Sequence, residues 1–217
     1  MKQGRYIWLV MLAMLCGSMA AQPRLTRPEI YLGAHAGVMG STVLFNPGIA
    51  GMDILQSPLT WNGGLVFRYA GHKVCAIQLE ANYMQRGWRE KGEGWDYRRQ
   101  LDYIEVPLLM HLYFGKPRFR GFVNIGPQVG YCIRDLEFGE KNPNYHYQYE
   151  KIDQRFDWGA AAGVGCYFRG KKMGVVQLEA RFNYSLGGVF GTSKMDHFAA
   201  AQPMNVSVNL GYLWEMK

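Results

Sequence analysis

The sequence has no apolar run long enough for a membrane-spanning helix, which needs about 18 or more such residues. Its most apolar stretch, Tyr6 to Cys16, is too short, and mean hydropathy over the 217 residues is −0.18. A bundle of transmembrane helices is therefore excluded. A membrane β-barrel is not, because its strands alternate and average to neutral hydropathy. Helical periodicity is missing beyond the first twenty residues, as are a domain linker and any low-complexity tract. Cysteine is scarce: apart from Cys16, only Cys75, Cys132 and Cys166 are present. That odd number argues against a disulfide framework. No CxxC or Cys/His cluster has metal-ligand spacing, so neither a metal nor a cofactor is expected. A nucleophile elbow, a P-loop and a zincin motif are also missing. Charged residues make up only 19% against 48% hydrophobic, which is not the composition of a disordered chain.

What the chain has in quantity is aromatic residues, with 6 Trp, 14 Tyr and 11 Phe, and 27 Gly. That combination favours an all-β chain. At the N-terminus, Lys2 and Arg5 precede the short apolar stretch, and Gly17, Ser18, Ala20 and Ala21 follow it. This is the layout of a secretory signal peptide, expected over residues 1–20, with one domain over 21–217. A lipoprotein signal ending at Cys16 is the rival, disfavoured by the bulky Leu15. Removal of residues 1–20 leaves 22 basic and 17 acidic residues, a net of +5.

Period-two alternation then recurs eight times, near Glu29–Val38, Trp61–Ala70, Val74–Arg86, Gln100–Phe114, Phe119–Ile133, Gln154–Phe168, Met173–Leu186 and Pro203–Met216. In the seventh segment Val176, Leu178, Ala180, Phe182 and Tyr184 share one face, and Gln177, Glu179, Arg181, Asn183 and Ser185 the other. Short connections at Gly71–Lys73, Gly115–Arg118 and Arg169–Lys172 alternate with long ones at Met39–Thr60, Gly87–Arg99, Arg134–Asp153 and Gly187–Gln202. This is the connectivity of an eight-stranded antiparallel up-and-down barrel with both termini on the short-turn side. Outer-membrane barrels have short periplasmic turns and longer extracellular loops.

Alternation alone does not say which face points outward, and a soluble lipocalin-like binding barrel is the alternative. Aromatics near strand ends (Trp61, Tyr69, Tyr83, Trp158, Phe168, Tyr184, Trp214) suit interfacial girdles. The polar face is rich in glycine (Gly33, Gly37, Gly64, Gly126, Gly130, Gly159, Gly163, Gly165), as a narrow lumen requires. Both features favour lipid outside and an outer-membrane location.

Family resemblance strengthens this reading. Tyr103-Ile104-Glu105-Val106-Pro107-Leu108-Leu109 resembles the signature strand of the PorT-like outer-membrane β-barrel family. Leu32–Val38, Asn124–Pro127, Phe156–Gly159 with Gly163–Gly165, and Leu178–Ser185 resemble that family's first, fifth, sixth and seventh strands. The likeness runs over essentially the whole mature chain. It implies an outer-membrane barrel and, from the family's founding member, an accessory place in type IX protein secretion. The chain departs from many outer-membrane strands in continuing past Trp214 through Glu215, Met216 and Lys217.

With the apolar face in lipid, Arg68, Glu80, Glu105, Glu179 and Arg181 point into the lumen, where charges must be paired and hydrogen-bonded. Glu80, Glu105, Glu179 and Arg181 are expected at similar height. Three Glu against one nearby Arg is unbalanced, so Arg68 or Arg120 is expected to lean in, or one Glu to hold a proton. This network reads as a structural plug; a proton-sensitive gate is the alternative. Pro107 is expected at a bulge, and His35 and His111 are expected to fill the lumen. Outside, Arg86, Trp88, Arg89, Trp95, Arg98 and Arg99 form a candidate headgroup-binding loop, because Arg matches phosphate geometry. Glu90, Glu93 and Asp96 offset part of its charge. His72, Lys73, Lys116, Arg118, Arg169, Lys171 and Lys172 give the short-turn rim a basic character. Asp196, His197 and Ser193, and His146 among Tyr145, Tyr147 and Tyr149, are the candidates for chemistry. Adjacency alone does not make a catalytic pair. The expected partners are outer-membrane lipids and envelope or secretion-machinery proteins, not nucleic acid. The expected function is a non-enzymatic structural or interaction barrel; the alternative is an enzyme acting on lipid or peptide at the outer rim.

Overall fold

The computed structural model describes residues 24–46, 54–55, 59–92, 95–139, 155–170, 173–187 and 200–216. Eight long strands make up nearly all of this: β1 (Arg24–Asn46), β2 (Thr60–His72), β3 (Cys75–Gly92), β4 (Trp95–Lys116), β5 (Phe119–Gly139), β6 (Phe156–Gly170), β7 (Gly174–Ser185) and β8 (Ala200–Met216). A two-residue piece, Ile54–Leu55, adds to the outer end of β3. Each strand pairs antiparallel with its neighbours in the chain, and β1 pairs with β8, so the sheet closes on itself. Closure leaves no unpaired edge within the barrel wall, as hydrocarbon demands of any backbone that crosses it.

The alternation read from the sequence determines the two faces. On β7 the burial pattern is strictly two-fold, with Gln177, Glu179, Arg181, Asn183 and Ser185 inside and Val176, Leu178 and Phe182 outside. Exposed Leu32, Leu65, Leu79, Leu108, Ile125, Val164, Val208 and Leu210 continue the apolar band around the cylinder. Trp61, Trp158 and Phe156 ring one end of the band, and Tyr69, Phe114, Phe119, Phe168 and Trp214 the other. From Trp158 to Phe168 is about 34 Å along the strand, or about 25 Å along the membrane normal at the usual tilt of ~40°. That matches the apolar height of an outer-membrane barrel.

Several strands run further than the alternation suggested. Of the segments expected as loops, residues 39–46 of Met39–Thr60 are strand, as are residues 87–92 and 95–99 of Gly87–Arg99. β1 continues to Asn46 against Ala200 of β8. β3 and β4 stay paired to Gly92↔Trp95, and β5 follows them to Gly139. A three-stranded sheet thus rises beyond the membrane on one side, and the β1–β8 ribbon does so nearby. The bulge expected at Pro107 is not there. The spacing is the same on both strands across it, with Leu79↔Leu108 followed by Asn82↔Glu105. Pro107 leaves a gap in the ladder because it has no N–H to donate. The register shift falls instead between Asp102 and Tyr103, where Ile133 of β5 is passed over.

Candidate functional site

Inward side chains of the described strands occupy the lumen in tiers. Nearest the short turns, Tyr31, Val66, Ala70, Ala76, Tyr113, Phe122, Tyr167, Val175 and Leu213 form an apolar plug. His111 stacks into it, 4.7 Å from the Phe122 ring, and its Nδ1 meets Asn124 Oδ1 at 2.6 Å. Arg120 lies at this level with its guanidinium 4.8 Å from the Tyr113 ring and one nitrogen donating to Tyr167 Oη at 3.3 Å. It does not join the carboxylates above. Below the plug, Arg169 of β6 grips Glu29 of β1 at 3.0 Å and Glu215 of β8 at 2.8 Å, and Tyr31 donates to Glu29 at 2.5 Å. Glu215, beyond Trp214, thus belongs to a rim clasp.

The middle tier is a carboxylate–guanidinium–carboxylate bridge across the barrel. Arg181 of β7 takes Glu80 of β3 with two nitrogens, at 2.5 and 2.8 Å. It takes Glu179 on its own strand with Nε and Nη2, both at 2.9 Å. Asn82 donates to Glu80 at 2.8 Å and Asn124 to Glu179 at 2.9 Å. His35 Nε2 lies 3.6 Å from Glu80. Arg68 leans in as expected, but its partners are amides: Gln78 at 2.7 Å and Gln177 at 2.5 Å. Gln78 in turn donates to Glu80 at 2.5 Å, which relays the Arg68 charge to the carboxylate.

Glu105 is not level with this trio. It sits one tier outward, and its partner is Arg86, which also donates to Asp157 at 2.7 Å and Ser185 at 3.1 Å. Asn183 donates to Glu105 at 3.2 Å, and the Tyr103 ring lies 4.8 Å from the Arg86 guanidinium. The count of three Glu against one Arg calls for Arg68 or Arg120 to lean in, or for a proton on one Glu; Arg68 does lean in, and the cation at Glu105 is Arg86. The sequence reading ends the third strand at Arg86 and groups Arg86 with the outer loop that begins at Gly87. The alternation in fact continues, with Met84, Arg86 and Trp88 all buried; that period-two run was the signal available in the sequence.

The same correction divides the candidate headgroup-binding loop. Arg86, Trp88 and Arg99 face inward. Arg99 is fully buried over the Trp88 ring and clamps Asp135 of β5 at 2.9 and 2.6 Å. Arg89 and Arg98 face outward on the rising sheet. Trp95 lies on β4, but its side chain is outside the described residues, as are Ser193, Asp196, His197, His146 and the signal segment 1–20.

A closed cylinder with an apolar exterior of membrane height, aromatic rings at both edges and an ionic, cross-braced interior defines an eight-stranded outer-membrane β-barrel protein. Residues 20–191 match the model of the outer membrane protein beta-barrel domain family, and the chain belongs to that family. OprG, an outer-membrane protein of Pseudomonas aeruginosa, has a similar crystal structure: TM-score 0.52, 16% identity, covering 89% of this chain and 98% of that one. Two weaker likenesses are to Escherichia coli outer membrane protein W and to Ail, the attachment invasion locus protein of Yersinia pestis. The first has 17% identity and TM-score 0.44, over 89% of this chain and 100% of that one. The second has 14% identity and TM-score 0.45, over 86% and 99%. No curated protein matches the sequence.

Proposed function

We propose that the protein is a non-enzymatic, non-conducting barrel whose role is structural or interactive. In this role the membrane-embedded part is an anchor and the strand extensions above the membrane make the contacts. The observation that carries this is the braced lumen. Arg181 ties β3 to β7, Arg86 ties β3 to β4 and β6, and an apolar plug stands behind them. Such an interior leaves side chains where a channel would need water. Planar-bilayer recording tests it: the account expects no stepwise conductance, and regular single-channel steps would refute it.

The finer assignment, an accessory in type IX-like protein export, is supported by the resemblance of Tyr103–Leu109 to the PorT-like signature strand. Envelope or secretion-machinery proteins would then be the partners. Deletion followed by analysis of secreted proteins tests it; an unchanged secretome assigns the barrel to a surface-structural role instead. The enzymatic alternative would centre on Asp196, His197 and Ser193. His197→Ala, with lipid-modification and peptide-processing profiles unaltered, is the result the non-enzymatic reading expects.

A further inference from the structure

The outward face of the β3–β4–β5 sheet, above the aromatic ring, carries groups that the lumen network does not use. Arg89, Arg98 and Phe138 stand in one cross-strand row, Arg89 opposite Arg98 and Arg98 opposite Phe138. Like charges directly opposed across strands repel. Asp96 relieves half of this by clamping Arg89 at 2.9 and 2.5 Å. Among the described residues, Arg98 has the Gln100 side-chain oxygen at 3.3 Å as its one hydrogen-bond partner, and its Nε is shut off from solvent without one. A buried donor left unpaired is costly, and the outer end of the guanidinium, which no carboxylate among the described residues holds, is free to turn its fork to an anion with two oxygens. These residues and Gly139 line an open depression of about 430 Å³, within the roughly 300–1,000 Å³ span of small-molecule sites. Phe138, half exposed, offers a flat apolar surface beside the guanidinium.

Height narrows the ligand. Arg89 is six residues beyond Tyr83 of the outer aromatic ring, or about 15 Å further along the membrane normal. The polar region of a bilayer adds only about 5–8 Å per leaflet, so a phospholipid headgroup stops short. Arg134, three residues beyond Tyr131, is about 8 Å out. Its side chain is 65% exposed and its nearest carboxylate, on Asp102, is 3.9 Å away. Cations therefore occur at headgroup level and again well above it on the same sheet face.

We infer that Arg98, with Arg89 and Phe138, binds the phosphorylated saccharide of an outer-leaflet glycolipid. A phosphate sits on the Arg98 fork, a sugar ring covers Phe138, and Arg134 meets phosphates nearer the acyl chains. The inference needs only the outer-membrane setting and is independent of the secretion assignment. The test uses the barrel in nanodiscs of zwitterionic lipid, titrated by calorimetry with a deacylated, phosphorylated core oligosaccharide. Saturable binding is expected. It should weaken about tenfold or more in Arg98→Gln, weaken in Phe138→Ala, vanish when the oligosaccharide is dephosphorylated, and persist in Arg118→Gln at the opposite rim. Equal affinity in the wild type and Arg98→Gln would overturn the inference. So would full displacement by equimolar inorganic phosphate, or by phosphatidylglycerol in the nanodisc. If Arg98→Gln fails to show the heat-dependent gel shift of a folded barrel, Arg98→Lys takes its place. That variant keeps the charge and loses the fork, and undiminished binding by it contradicts the site.

Discussion

Arg181 and Arg86 are the two residues on which the interior depends most. Each guanidinium holds two carboxylates in the interior of the cylinder, almost out of reach of solvent. Arg181→Met strands Glu80 and Glu179 side by side, and removing one partner from a buried charge pair costs about 3–5 kcal/mol. Urea unfolding in lipid vesicles should register a loss of that size. Glu105→Gln is milder, because Arg86 keeps Asp157 and Ser185 and the amide still accepts a hydrogen bond. It should fold with its gel shift intact and lose about 1–3 kcal/mol at most. If Glu105→Gln folds normally yet abolishes function, the network is a gate and not a brace. At this scale the sequence was informative about which carboxylates turn inward, since alternation puts Glu80, Glu105 and Glu179 on the face that the aromatic girdles and the glycines assign to the lumen. It was uninformative about pairing. Which cation reaches which carboxylate depends on strand stagger: Glu105 faces Asn82 across the ladder, Arg86 reaches it from four residues further along β3, and Arg68 is left with two glutamines.

The elements show where local rules were followed and where closure overrode them. Short turns were readable because their chemistry is local. Gly174, at the β6–β7 turn, adopts φ +72°, and a Cβ there would lie 2.5 Å from the Leu213 carbonyl oxygen of β8. Gly174→Val should therefore cost about 1–3 kcal/mol or more, seen as a lower urea midpoint with an unchanged slope. The long connections were misread because glycine and charge usually mark loops. In Gln85–Gly92 and Trp95–Asp102 those residues sit on a sheet that has left the membrane. There the outward face is wet and no longer needs apolar side chains. Two-fold alternation persisted, but as buried Trp88, Tyr97 and Arg99 against polar Arg89, Arg98 and Gln100.

For the molecule as a whole, the decisive property is the inversion of inside and outside. Its exterior is covered by Leu, Val, Phe and Trp, and its centre holds Glu80, Glu179, Arg181 and Asn209, all nearly inaccessible. Leu210, 61% exposed in the middle of the β8 band, should tolerate arginine poorly: Leu210→Arg is expected to lower bilayer folding free energy by about 2–4 kcal/mol. In a soluble barrel of the same topology that substitution would place a charge in water and cost little. The most direct test of the orientation compares two adjacent β8 positions, Val208 (47% exposed) and Asn209 (2%). With Cys75, Cys132 and Cys166 replaced by alanine, a nitroxide is attached at each position in turn and the barrel reconstituted in bilayers. The account predicts that the label at 208 collides freely with dissolved oxygen and hardly at all with a water-soluble nickel chelate, while the label at 209 is immobilised and reached by neither. An oxygen-poor, immobile label at 208 beside a chelate-accessible one at 209 would contradict it.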